Sequence, residues 1–140
     1  YSADLLISIR KWKKRDTALD TLDESTPFLP RSLRELPAYT VMCISAGVFE
    51  EIIYRGFMVT YFLPEYNFNV GLPILAVTAP AFLFSLAHYY QGWQAVLKIF
   101  LLSMLLGIIF LSSGSIWMVM IIHFLIDLIG GIVAMRLLKD

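Results

Sequence analysis

Residues 49–58 read FEEIIYRGFM, and they interrupt a run that is otherwise apolar from Ala38 to Leu63. A charge at the centre of a membrane helix costs about 2.5–3.5 kcal/mol. Left unpaired, Glu50, Glu51 and Arg55 would together cost roughly 8–10 kcal/mol, comparable with the whole stability of an ordinary domain. Glu51 and Arg55 are four residues apart, with the acid N-terminal to the base, the favourable order for an ion pair on one helix face. Glu50 points about 100° away from Glu51 and has no local partner.

The rest of the 140-residue chain says that this run crosses a membrane. It is 59% hydrophobic, with a mean hydropathy of +0.73. Soluble domains hold about 45–50% apolar residues. Thirteen of the charged side chains fall before Ala38 and nine after it, so a polar N-terminal segment, 1–37, precedes a membrane-embedded core, 38–140. Formal net charge is zero, and nothing points to a nucleic-acid partner. Cys43 is the single cysteine, which excludes an internal disulfide and suits a packing role. The chain begins at Tyr1 rather than Met and is read as an excised piece or processed product; no signal-peptide pattern is present.

Four apolar stretches, roughly 38–63, 71–90, 94–112 and 115–138, each approach the about 20 residues that span a bilayer. PEYNFN, YQGWQ and SSGS separate them as turns. An open sheet would leave its edges unpaired in lipid, so the expected fold is all-α and polytopic, with about four transmembrane helices. Residues 1–9 read as the tail of an upstream helix, and PRSLREL as linker rather than an interfacial helix. The basic cluster Arg10 to Arg15 precedes the first crossing, and Arg136 and Lys139 follow the last, whereas the turn at 64–70 carries only Glu65. Both ends of the 38–138 core are expected on the cytoplasmic side. Gly130 and Ala134 form a small-xxx-small step, and Gly107 lies within the third stretch; both suit close helix approach.

Beyond Pro64 the apolar stretches hold few ionisable groups: His88 in FSLAHYY, His123 in IIHFLID, Asp127 four residues later, and Lys98 near an interface. Either histidine alone reads as a satisfied core or interface residue, and Asp127 alone as a partner for His123. Together with a free glutamate on another helix they form a hydrolytic set. Glu50 supplies a base, an imidazole orients water, and a second polar pair faces the reacting carbonyl. One depth estimate is discordant: Glu50 lies about 12 residues into its helix, near mid-bilayer, and His88 close to the end of its own. Convergence requires the second helix to run past Gln91, YQGW to form a re-entrant bend, or the first helix to begin deeper.

Glu50-Glu51-xxx-Arg55, Phe84-xxx-His88 and His123-xxx-Asp127, in this order on successive helices, resemble the CAAX protease and bacteriocin-processing (CPBP) family of intramembrane proteases. The likeness covers roughly residues 38–138. It implies hydrolysis of a peptide bond in a membrane-associated peptide or protein, with the lipid bilayer as the other partner. Glu50 and His88 would activate water, His123 and Asp127 would face the oxyanion, and Glu51, Arg55 and Phe84 would support them. The family allows Asn or Asp at the last position. An ionised Asp127 accepts hydrogen bonds only, so its expected part is to orient His123.

No cofactor is expected. The rival chemistry is a zinc protease built on Glu50, His88 and His123, although HExxH spacing is absent. A non-catalytic peptide-binding or bacteriocin-immunity protein would share the motifs. A proton-coupled transporter fragment is a further reading, but four crossings are few for one and no inverted repeat is visible.

Overall fold

A computed structural model describes residues 26–63 and 71–137. The upstream helix tail at 1–9, the basic cluster at 10–15, the turn at 64–70 and Lys139 lie outside the described residues. The described residues are helical, with no strand among them. Helix α1 spans Leu36–Phe62, α2 Gly71–Ala87, α3 Trp93–Ser113 and α4 Ile116–Leu137. Three helices, the first, third and fourth, are long and apolar enough to cross a membrane; α2 is shorter.

Each boundary has a local cause. PRSLREL forms hydrogen-bonded turns up to Leu36 rather than a helix. Glu35 accepts from the Arg31 amide at 2.9 Å and from the Ser32 hydroxyl at 2.8 Å, which holds its carboxyl below the usual range. Pro37 then occupies the first turn of α1, where a missing N–H is harmless. Helix α2 ends at Ala87, and a 3₁₀ turn, Tyr89–Gln91, leads to Gly92. Gly92 and Gly114 have φ of 91° and 64°, a backbone region open to glycine, and they make the turns into α3 and α4.

The centre of α1 departs from the expected α-helix. Ile52–Val59 is a π-helix, a form that is rare and concentrated at functional sites. It accounts for an unusual burial pattern: Tyr39, Cys43, Gly47, Glu51, Arg55 and Val59, every fourth residue, are buried. In an α-helix four residues overshoot a full turn by about 40°, so a stripe with this spacing winds steadily around the axis. Bonding from i to i+5 makes wider turns, of which four residues fall short. The π segment therefore winds the stripe back. The first half of α1 packs along α4, and the π segment packs on α2 with α3 and α4 beside it.

Close approaches fall on small residues. A Cβ on Gly47 would lie 3.0 Å from the Met120 carbonyl oxygen, which sets the α1–α4 spacing, and one on Gly107 would lie 2.7 Å from Val77 Cγ1 at the α2–α3 contact. On α4 the crowded glycine is Gly131, whose added Cβ would meet the Tyr39 ring. Gly130, half of the expected small-xxx-small step, faces open space. Helix phase decides between the neighbours: Gly131 lies four residues from Asp127, whose carbonyl accepts the Tyr39 hydroxyl at 2.9 Å.

The discordance in depth disappears because the two helices differ in length. At 27 residues α1 is about 40 Å long, whereas the 17 residues of α2 rise about 26 Å. The end of α2 therefore comes level with the middle of α1. Phe84 meets Tyr54 edge-on at 4.8 Å, and His88 follows one turn later. Helix α2 does not extend past Gln91. The segment before α1 folds back to the same place, with the Phe28 ring 6.3 Å from that of Tyr90.

Candidate active site

The six ionisable motif residues lie on three helices. Helix α1 carries Glu50 and Glu51 at its α-to-π junction and Arg55 inside the π segment; His88 follows α2; α4 carries His123 and Asp127.

Glu51 is the centre of the packing. It is 0% exposed, and its Oε1 accepts from Arg55 Nη1 at 2.7 Å and from His123 Nδ1 at 2.7 Å. Arg55, 1% exposed, directs Nη2 to Ser103 on α3, reaching the carbonyl oxygen at 2.9 Å and Oγ at 2.8 Å. Glu51 Oε2 has no hydrogen-bond partner among the described residues. The expected Glu51–Arg55 pair is thus present and extends to helices on both sides.

The expected orientation of His123 by Asp127 is not what the structure holds. Nδ1 is engaged by Glu51, and Asp127 Oδ2 lies 3.5 Å from the other nitrogen, Nε2. The i,i+4 relation puts Asp127 on the right face, but its carboxylate stops beyond good hydrogen-bond length. Glu51 fixes the ring, because a buried carboxylate shared with Arg55 sits directly opposite Nδ1. Glu50 Oε2 also approaches Nε2, at 3.7 Å. Glu50 is only partly buried, unlike Glu51.

His88 has a defined tautomer. Its Nδ1 lies 2.8 Å from the Phe84 carbonyl oxygen; a carbonyl can only accept, so Nδ1 carries the hydrogen and a neutral ring leaves Nε2 as an acceptor. Phe84 ties the groups together. Its ring is 4.6 Å from His88, 6.0 Å from His123 and 5.5 Å from the Arg55 guanidinium, within cation–π range.

The sequence reading missed Ser103 and Tyr39. Ser103 had a visible signal: it stands four residues before Gly107, a second small-xxx-small step within an apolar run. Tyr39 had none, since its contact with Asp127 joins residues 88 apart. Among the described residues no three His, Cys, Asp or Glu side chains are grouped as metal ligands.

Neither the curated proteins nor the solved structures contain a match to this chain. A family model described as type II CAAX prenyl endopeptidase Rce1-like matches residues 32–129, a span that holds all three motifs, every close helix contact except those of α4's last turns, and Ser103. With the fold and motif order in agreement, the chain belongs to the Rce1-like type II CAAX prenyl endopeptidase family, and is an integral, multi-pass membrane peptidase acting on a peptide or protein substrate at the membrane.

Proposed function

We propose that the chain is an intramembrane endopeptidase of the glutamate type, which cleaves a CAAX-type or bacteriocin-related peptide bond with Glu50 and His88 acting on water. The observation that carries the reading is the division of labour between adjacent glutamates. Glu51 is committed to Arg55 and His123. Glu50 is partly exposed and faces His123 Nε2 at 3.7 Å. A base needs that freedom to reach water.

The chemistry follows from the atoms present. Water donates a hydrogen bond to the free Nε2 of His88, while Glu50 takes its proton as the oxygen attacks the carbonyl. The C–N bond then breaks, and Glu50 returns the proton to the departing amine. Negative charge develops on the carbonyl oxygen, which faces His123. With Nδ1 donating to Glu51, Nε2 donates to that oxygen when the ring is an imidazolium. Asp127 at 3.5 Å supplies a counter-charge to that form. Both ends of the core face the cytoplasm in this reading. The steps as drawn use side chains of this chain alone.

The test uses protein in lipid nanodiscs and an internally quenched farnesylated CAAX peptide. Cleavage by wild type, a loss of about 10²–10⁴-fold in Glu50→Gln, and indifference to a chelator are expected. Chelator inactivation reversed by zinc would move the reaction to the metalloprotease. Tight binding without cleavage would move the chain to the peptide-binding or immunity reading.

A further inference from the structure

The motifs account for residues on α1, α2 and α4, yet Arg55 spends one end of its guanidinium on α3. Ser103 receives it twice, at 2.9 Å through the carbonyl and 2.8 Å through Oγ. These two acceptors differ. The carbonyl belongs to the ladder of α3, where the amide of Gly107 is its regular donor. The hydroxyl has no such prior commitment, and Ser103 is buried. In a site without competing water, an acceptor for a charged guanidinium fixes its orientation as well as its charge.

From there the contacts run in one direction. Arg55 Nη1 sets Glu51 Oε1, and the same oxygen holds His123 Nδ1. Glu51 Oε2 has no partner among the described residues, so its carboxylate is held by that single oxygen. Any rotation of the guanidinium is passed to Glu51 and then to the imidazole.

We propose that Ser103 is a positioning residue of the active site: its hydroxyl fixes Arg55, which places Glu51 and through it the ring of His123. The inference rests on the peptidase reading above for its effect on catalysis, but not for its geometry. It also predicts where the effect stops. His88 donates its hydrogen bond to the Phe84 carbonyl, a backbone group of α2 outside the relay.

The chain has two histidines, so ¹⁵N-imidazole NMR in lipid nanodiscs separates them, with a His88→Gln sample giving the assignment. In Ser103→Ala the hydrogen-bonded Nδ1 proton of His123 is expected to move upfield by more than its linewidth, with His88 unmoved. Ser103→Thr, which keeps the hydroxyl, is expected to restore it. On the farnesylated peptide, Ser103→Ala should lower kcat about tenfold at unchanged KM, and threonine should recover it. Should the alanine variant fail to assemble, Ser103→Cys, close in volume with a weaker acceptor, is read the same way. An unmoved His123 signal, joint movement of both histidines, or no recovery with threonine would overturn the proposal. If wild type leaves the peptide uncut, that result counts against the peptidase reading, and the spectra still decide the role of Ser103.

Discussion

Arg55→Leu tests whether the centre of the site is held by charge in a water-free setting. The side chains concerned are 1% and 0% exposed. Arg55 gives one hydrogen bond to Glu51 and two to Ser103. Leucine removes all three and strands the Glu51 carboxylate with His123 as its remaining donor. Deleting one partner of a buried pair costs about 3–5 kcal/mol, mostly through the charge left behind. Glu51→Gln in the same background should remove that charge while its amide oxygen still accepts from His123. About 2 kcal/mol of the loss should return in the double variant. The assay is equilibrium unfolding of the four proteins of the cycle in bicelles. A loss below about 1 kcal/mol for Arg55→Leu, as for an exposed pair, would refute the reasoning. So would a double variant no more stable than Arg55→Leu alone.

Two further outcomes follow from the packing of α4. Asp127→Asn keeps the size but removes the counter-charge 3.5 Å from His123 Nε2, so cleavage of the farnesylated peptide should fall about tenfold, whereas Asp127→Leu, which also loses the polar group, should lower it about 10²-fold. Equal losses in both would make the Asp127 charge itself the requirement. Gly131→Ala drives a methyl into the Tyr39 ring and should cost about 1–3 kcal/mol in the same unfolding assay, while Gly130→Ala, facing open space, should be near neutral.

Much of this was legible in the chain because membrane burial makes polar residues conspicuous. Four hydrophobic stretches gave the helices, and the order of Glu50, Glu51, Arg55, His88, His123 and Asp127 gave the motif residues of the candidate site. Spacing rules, however, see only one helix at a time. They found the Glu51–Arg55 pair, an i,i+4 relation, and for the same reason assigned His123 to Asp127. The partner that holds His123 comes from another helix, 72 residues away. The distinction between Gly130 and Gly131 also depends on a neighbour, the Tyr39 ring. Helix length mattered in the same way: taking each apolar stretch as one full crossing set His88 at a surface, whereas α2 is shorter than α1 and ends level with its middle. The π-helix left no recognised mark, although burial at every fourth position is its imprint.

That imprint bears on how this helix responds to a change in length. A surface loop tolerates a lost residue because its ends can readjust. Within Ile52–Val59 the loss of one residue would let the wide turns relax to ordinary α-helix, with no broken ladder to oppose it. The helix would survive, and the eight π residues, which turn through about 650°, would become seven α residues turning through about 700°, so everything beyond the deletion would turn by only about 50° relative to Glu51. The deletion and the narrowing of the turns offset each other, and Val59 stays nearer its buried seat than it would after the same loss in an α-helix. Over this stretch the helix can therefore change its length by one residue at about half the rotation that an ordinary α-helix would undergo.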